Sequence, residues 1–385
     1  MSNAPVTSID PATFALDPYP VLAQMRAETP ITYVPELNAT LLTRRADIHR
    51  EEKRVHVFSS VQPGGLMEKI MGLNMMRRDG DDHMAERRAL FPALSPRTVA
   101  NHWAPMFKQI VEERLDALAP QGGCDLVSEY AMPVAGAALC AMTGLTNMTP
   151  AQMDRASQEM LDAIANYIAN PEVDAKGLAQ SAFVDEAIDA RLIALRDAPD
   201  PSILSVLDRA GMSRASNGAN VKVIIGGGQN EPRDAIAGLI WALLCNPEQR
   251  EHLSNGTATY IEAFSEYARY IAPIQMIPRM IARQDTVGDV TFEPGDRVFL
   301  MVASACRDEA VFENADIFDV TRDTSAAIPF GAGPHFCAGA AAARTLVANY
   351  AVPLIFERFP DLKLSGPAPF QGWAFRGPTS VPVTW

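Results

Sequence analysis

Between about residue 100 and residue 255 the chain keeps returning to one pattern, apolar side chains three and four positions apart with short polar breaks between the runs. VEERLDAL, VAGAALCAM, DRASQEMLDAIANYI, FVDEAIDARLIAL and AIAGLIWALL all follow it. That spacing gathers the apolar groups on one face of a 3.6-residue helix. A chain with so long a helical middle folds as a helical array, with sheets confined to its flanks. On the N-terminal side, residues 18–30 read as a short helix closed by proline, followed by two β-prone runs, ITYV and TLLT, joined through Pro35 and Asn38. On the C-terminal side, a helix is expected at about 258–270. The segment TVGDVTFEPGDRVFLMV then punctuates β-branched runs with Gly and Pro, as strands do. Residues 307–336 show neither period, the alanines from Ala340 to Ala343 open another helix, and GWAFRGPTSVPVTW closes the chain as a β-prone piece. The expected class is mainly α with small β-sheets.

No Gly/Ser-rich linker or charge block divides the chain, so one domain over 1–385 is expected. At 48% hydrophobic and 21% charged it has the composition of a soluble globular protein. The first twenty residues lack a basic start and an apolar stretch, and no later segment offers ~18 uninterrupted apolar residues. A cytoplasmic protein with no membrane partner is expected. A net charge of −13 argues against a broad phosphate-binding surface, and so against nucleic acid. The five cysteines are odd in number and scattered, with no CxxC pair, which points to neither a disulfide framework nor a zinc knuckle.

From Phe330 to Arg344 the sequence reads FGAGPHFCAGAAAAR. Gly331, Gly333 and Gly339 permit a tight loop and close backbone approach to a flat ligand, and a helix starting after Cys337 turns its amide groups towards the sulfur and favours thiolate. An axial Cys thiolate donates electron density to haem iron and promotes dioxygen cleavage. A lone cysteine in a glycine-rich turn reads as structural, but here the surrounding pattern decides. The stretch resembles the haem-binding loop of the cytochrome P450 superfamily, F-G-x-G-x-H-x-C-x-G followed by Ala-Arg. Phe330, Gly331, Gly333, His335, Cys337, Gly339, Ala343 and Arg344 stand at the motif positions.

That resemblance covers nearly the whole chain, from PYPVLAQMRAE to the last strand. It implies a cytochrome P450 fold, a helical array around buried haem b, with the Cys337 thiolate as axial ligand. Glu266 and Arg269 form an E-x-x-R whose spacing puts both side chains on one helix face. The resemblance adds Arg322 and makes the trio a structural lock. It also implies that Arg279, His83, Arg87 and His335 hold the haem propionates, a task suited to the planar fork of arginine.

The helix expected over the distal face of the haem is 221–245. There Asn230 and Glu231 stand where most family members carry an acid followed by threonine, so the usual proton-delivering alcohol is missing. Pro232 has no amide proton to give to the carbonyl of Gly228, and a kink is expected. Gly227 and Gly228, one turn before Glu231, would leave space for a small ligand. In a poorly hydrated pocket the pKa of Glu231 would rise and make it a general acid or base near neutrality.

The closing GWAFRGPTSVPVTW and the Q-x-E-P of the distal helix resemble bacterial guaiacol and syringol O-demethylases, haem-thiolate enzymes of lignin-derived methoxyphenols. By that likeness Phe375, two residues after Trp373 on one strand face, lies beside a small aromatic substrate. Ile274, Gln275 or Met276, and Ile224 are placed in the same pocket; the loop SSVQPGGLMEKIMGLN offers Leu66 and Met67, with Met71, where an aromatic would be expected, and its methionines read as adaptable lining or as core. The expected activity is monooxygenation, most specifically O-demethylation with loss of formaldehyde, driven by dioxygen or hydrogen peroxide. Hydroxylation of another small aromatic or hydrophobic substrate is the alternative. A non-catalytic haem sensor or ligand-sequestering protein is the alternative of another class. No flavin or iron–sulfur motif is visible, so electrons are expected from a separate ferredoxin or flavin/iron–sulfur reductase. The reduced carbon-monoxide complex should absorb at the long wavelength of thiolate haem, and Cys337→His should lose that band. A variant that kept both band and activity would remove Cys337 from the iron.

Overall fold

The computed structural model describes residues 2–167 and 169–385, so the final residue of the DRASQEMLDAIANYI run, Ile168, lies outside the described residues. The chain divides into two compact units, each assembled from pieces distant in sequence.

The first unit comprises Met1–Gln62, Ala242–Cys337 and Pro369–Thr379. It contains a five-stranded sheet in the order Ile31–Val34, Ala39–Leu42, Arg297–Leu300, Ile277–Ile281, Phe58–Ser59. The two β-prone runs near the N-terminus form the antiparallel edge hairpin, Ile31 opposite Leu42. Its turn is closed by Asn38 at φ 46°, a left-handed conformation that asparagine tolerates. Ala39–Leu42 then pairs in parallel with Arg297–Leu300, whose Val298, Phe299 and Leu300 are fully buried. Arg297–Leu300 runs antiparallel to Ile277–Ile281 and so fixes Arg279 opposite Val298.

Beside this sheet stands the helix Tyr260–Ile271, started by a capping box in which Thr259 and Glu262 satisfy each other's backbone N–H groups. Glu266 and Arg269 are both completely buried on it. Arg269 donates to the two carboxylate oxygens of Glu266 at 2.6 and 2.7 Å. Arg322 Nε reaches the same carboxylate at 3.3 Å, and the N–H of Asp319 at 2.9 Å. Arg269 also donates to the carbonyls of Cys306, Ala315 and Ile317. This fits the absence of a period in 307–336: its backbone is satisfied by short local turns and, at Ala315, Ile317 and Asp319, by buried charged side chains, instead of by a ladder.

The second unit comprises Pro63–Trp241, Ala338–Ala368 and Ser380–Trp385. Its helices include Gly80–Leu94, Ala104–Leu118, Met132–Thr143, Pro150–Ile164, Pro171–Asp197 and most of Arg214–Cys245. A three-stranded sheet, Gly123–Asp125, Pro382–Thr384 and Lys363–Leu364, completes it. Among the described residues one helical stretch, Leu126–Thr143, is long and apolar enough to cross a membrane, and 61% of it is buried inside the protein. Tyr130, Val134, Ala135 and Leu139 make it core.

Two sequence expectations change here. The long distal helix begins at Arg214 and not at 221, because the polar stretch that reads as a break is held by buried partners. Asn220 donates to Glu86 at 3.1 Å and accepts from the N–H of Met75 at 3.0 Å, and Ser216 donates to Glu86 at 3.0 Å. Tertiary hydrogen bonds override weak helix propensity. Pro232 lies inside this helix, where it omits one backbone hydrogen bond. Likewise, part of the SSVQPGGLMEKIMGLN loop folds into a short helix, Leu66–Met71.

Removing one partner of a buried ion pair leaves the other charge uncompensated, at a cost of roughly 3–5 kcal/mol. Glu266→Ala should therefore melt at markedly lower temperature and retain little haem. Wild-type melting and haem content in that variant would show that the trio is dispensable.

Candidate active site

The Cys337 loop belongs to the first unit and is closed by its own backbone. Cys337 donates its N–H to the carbonyl of Phe330 at 3.0 Å, Gly331 to Ile328 at 3.0 Å, and Phe336 to Gly333 at 3.1 Å. Gly331 and Gly333 take φ of 76° and 78°, in the left-handed region. The close approach they allow is to the chain itself. A Cβ on Gly331 would lie 2.8 Å from Glu52 Oε1, and one on Gly333 3.1 Å from Lys53 Cγ. Gly339, at φ −86°, needs no left-handed freedom and forms the N-cap of Ala340–Arg344. Phe330 packs between Phe264 and Phe336, with ring centroids 6.1 and 6.4 Å away.

The other cysteines are held as thiols by their surroundings. Burial pushes the thiols of Cys124 and Cys306 up to about 12 and that of Cys140 to about 11, and it raises Cys245 as well. Cys337 is exposed at the end of its loop, as Cys245 is at the end of its helix, and it lies three residues before a helix begins. In the same unit Arg279 is 3% exposed; its Nη1 donates to the carbonyl of Pro278 at 3.0 Å, and its Nη2 lies 3.8 Å from Glu52 Oε1. A sequestered guanidinium of this kind suits an anionic group. His335 sits half-buried in the Cys337 loop. A thiolate donor, a buried arginine and a loop histidine together fit a cysteine-ligated haem carrying carboxylates.

In the second unit, His83 is buried, and its Nδ1 lies 2.8 Å from the carbonyl of Met75. A carbonyl only accepts, so Nδ1 carries a proton there and Nε2 is the nitrogen for other work. Arg87 follows one turn later, half-buried, on Gly80–Leu94.

The distal helix distributes its unusual residues over different faces. Gly227 is open: a Cβ there would meet nothing within 4 Å. Gly228 is not, because a Cβ there would lie 2.8 Å from Leu139 Cδ1, so this glycine serves helix packing and not ligand space. Gln229, Asn230 and Arg233 all turn to Pro150–Ile164. Gln229 donates to Asp154 at 2.9 Å, Arg233 to Asp154 at 2.9 Å, and Asn230 donates to Gln158 at 2.8 Å while accepting from Ser157 at 2.8 Å. Asn230 thus has both ends of its amide engaged in tethering two helices. Glu231 differs. Its Oε2 is buried without a hydrogen-bond partner, and desolvation pushes its carboxyl up to about 8. Ile224 is half-buried on the same helix.

The expected substrate-facing residues separate similarly. Ile274 and Phe375 are both half-buried and pair in an isolated antiparallel bridge. Trp373 lies in a bend and packs on Phe14 and Phe299 at 5.9 and 6.0 Å, so the bridge, not a strand face shared with Trp373, places Phe375. Gln275 is fully buried, and its Nε2 donates to the carbonyls of Ile271 and Ala272 at 2.5 and 2.8 Å. Its Nε2 closes the end of a helix, and its Oε1 is buried without a hydrogen-bond partner. Met276 and Met67 are buried, Leu66 is half-buried, and Met71 packs 3.3 Å from the Cβ position of Gly226, as core. Sequence reading missed Glu52 and Glu86, buried carboxylates in strings of charge that look like solvated helix ends.

Comparison with known proteins agrees with this geometry. Residues 259–363, which span the Glu266 helix and the Cys337 loop, match the family model described as Cytochrome P450. The chain is 30% identical to cytochrome P450 107B1 of Saccharopolyspora erythraea, over 96% of this chain and 95% of that protein. It is equally 30% identical to the epothilone C/D epoxidase of Sorangium cellulosum, over 96% and 93%. The solved structure of CalO2, 25% identical, superposes with a TM-score of 0.88 over 99% of each chain. The chain therefore belongs to the cytochrome P450 family and has its fold, mainly helical with small sheets. It is an oxidoreductase, a P450 monooxygenase, and the family implies a cysteine-ligated haem, oxygen and electrons from a separate redox partner.

Gly331→Ala combines a left-handed φ with a contact against Glu52, and such strain costs about 1–3 kcal/mol. Its melting temperature should fall, whereas Gly227→Ala, an open helical position, should melt at or above the wild-type temperature. Equal melting of the two variants would contradict this division between the glycines.

Proposed function

We propose that this monooxygenase oxidises a small aromatic substrate, removing the methyl group of a lignin-derived methoxyphenol as formaldehyde, and that it uses hydrogen peroxide as well as dioxygen. The observation that carries the oxidant reading is the sequestered Oε2 of Glu231, on a carboxyl whose pKa lies near neutrality where the family usually places an alcohol. A group with a pKa close to the working pH is best suited to take and return a proton. As the base, Glu231 takes a proton from one oxygen of hydrogen peroxide; as the acid, it returns that proton to the other oxygen as the O–O bond breaks and water leaves. Threonine cannot act as a base at this pH. A thiolate-ligated haem b, when bound, supplies the cleavage of dioxygen or peroxide and the oxidising power. Cys337 would hold its iron, and Arg279, His83, Arg87 and His335 its propionates. Asn230 and Pro232 act through the helix, by tethering it and by omitting a hydrogen bond, and Gly227 keeps a face of it clear.

For the substrate, the support is the Ile274–Phe375 bridge, which presents an aliphatic and an aromatic side chain together, and the likeness of the closing segment to the guaiacol and syringol O-demethylases. The epoxidase name among the relatives is said of that protein, and it sets hydroxylation or epoxidation of another apolar substrate as the competing outcome of a substrate screen. A ferredoxin or a flavin/iron–sulfur reductase would supply electrons when dioxygen is the oxidant.

Burial keeps the Glu231 carboxyl protonated up to about pH 8, so its basic form accumulates only as the pH rises through that value. Peroxide-driven turnover should therefore climb through about pH 8 in the wild type. In Glu231→Gln that limb should vanish and the rate should fall about 10²–10⁴-fold, with binding of a methoxyphenol little changed. The test is initial rate against peroxide concentration across this pH range. Equal rates in both proteins would make Glu231 a bystander.

A further inference from the structure

Glu51 and Glu52, at the end of the helix Arg45–Glu51, are adjacent in the chain and both fully buried, and the site described above assigns neither a role. Glu51 has its counter-charges, Arg50 Nε at 2.6 Å and Arg54 Nη1 at 2.7 Å. Glu52 meets a different set of groups. Its Oε2 accepts the N–H of Ala332 at 2.7 Å, five positions before Cys337. Its Oε1 lies 3.8 Å from Arg279 Nη2 and has no hydrogen-bond partner. Gly331 rests on that oxygen so closely that any side chain there would collide with it. One carboxylate therefore touches the loop that carries Cys337 and the strand residue Arg279.

We infer that Glu52 is a positioning residue for the cofactor, pinning the Cys337 loop at Ala332 and holding a negative charge beside Arg279, so that thiolate and arginine keep a fixed spacing. The inference rests on Cys337 being the haem ligand. A carboxylate with so few partners is an expensive choice if only stability were at issue, since a buried charge without full compensation is costly. Its desolvation pushes the carboxyl up to about 7, against the pull of Arg279 from the strand, the Ala332 N–H from the loop and Lys53 from its own segment. A residue retained under that penalty acts on what it holds. Outer partners that orient a metal ligand typically change affinity or activity about 10–100-fold when removed.

The experiment uses the haem-loaded full chain, Glu52→Ala and Glu52→Gln. Haem loss is measured by transfer to excess apomyoglobin, thiolate ligation by the reduced carbon-monoxide spectrum, and the ferric/ferrous midpoint potential at pH 8.5, where the wild-type carboxyl is ionised. Glu52→Ala should lose haem about 10–100-fold faster and lose thiolate band. Glu52→Gln keeps an oxygen to accept from Ala332, so it should restore haem retention and the band, but its midpoint should move to more positive potential because a negative charge is gone. If Glu52→Ala does not fold, Glu52→Gln decides alone, and an unchanged potential overturns the inference. So does wild-type behaviour of Glu52→Ala, or haem loss in Glu52→Gln as fast as in Glu52→Ala. A wild type without the thiolate band would overturn the ligand assignment together with this inference, whereas a normal wild type and an unaffected Glu52→Ala would overturn this inference alone.

Discussion

The first unit is organised around one buried ion pair. Glu266 and Arg269 lie one helical turn apart with no exposure to water, and neither could be buried alone. Between them they satisfy backbone groups of Cys306, Ala315, Ile317 and Asp319, and Arg322 adds donations to the carbonyls of Glu313 and Asn314. A stretch of some thirty residues without α-helix or sheet is thereby tied to the buried pair at its middle. That stretch ends in the loop that presents Cys337. The course of the chain into the Cys337 loop thus depends on a carboxylate and two guanidinium groups elsewhere in the unit.

Much of this was legible in the sequence because the signals were local. The E-x-x-R spacing needs only a helix to become an ion pair, and the hairpin of Ile31–Val34 and Ala39–Leu42 needs only β-branched runs around a turn. The cysteine loop was legible as a pattern, yet the reason for its glycines was not. Gly331 and Gly333 are shaped by Glu52 and Lys53, nearly three hundred positions earlier in the chain, and no periodicity encodes such a meeting. Glu52 itself stands in a string of charges that resembles any solvated helix end. Asn220 and Glu86 were hidden in the same way, since their burial depends on each other across two helices.

The distal helix shows why adjacency in sequence is a poor guide to shared function. Gly227, Gly228, Gln229, Asn230 and Glu231 are consecutive, but successive helical residues point 100° apart. Gly228 therefore meets Leu139, Gln229 and Asn230 meet the Pro150–Ile164 helix, and Gly227 stays clear one turn before Glu231. The buried amides and the Arg233–Asp154 contact give this helix a polar seam, and a seam of directional bonds holds a helix in rotational register more strictly than apolar contact does. Glu231 is aimed by its neighbours even though it bonds to none of them through Oε2.

The discontinuous make-up of the first unit also fixes an order of events on the ribosome. Ala39–Leu42 is synthesised early, but its parallel neighbour is Arg297–Leu300, and Phe375, the partner of Ile274, arrives later still. At translation rates of 5–20 residues per second, the N-terminal hairpin waits on the order of tens of seconds with an open edge. Contacts so distant in sequence close slowly. The nascent hairpin thus waits unpaired on that edge, and the Cys337 loop can take its course only after residues some 280 positions apart, Glu52 and Ala332, have both been made.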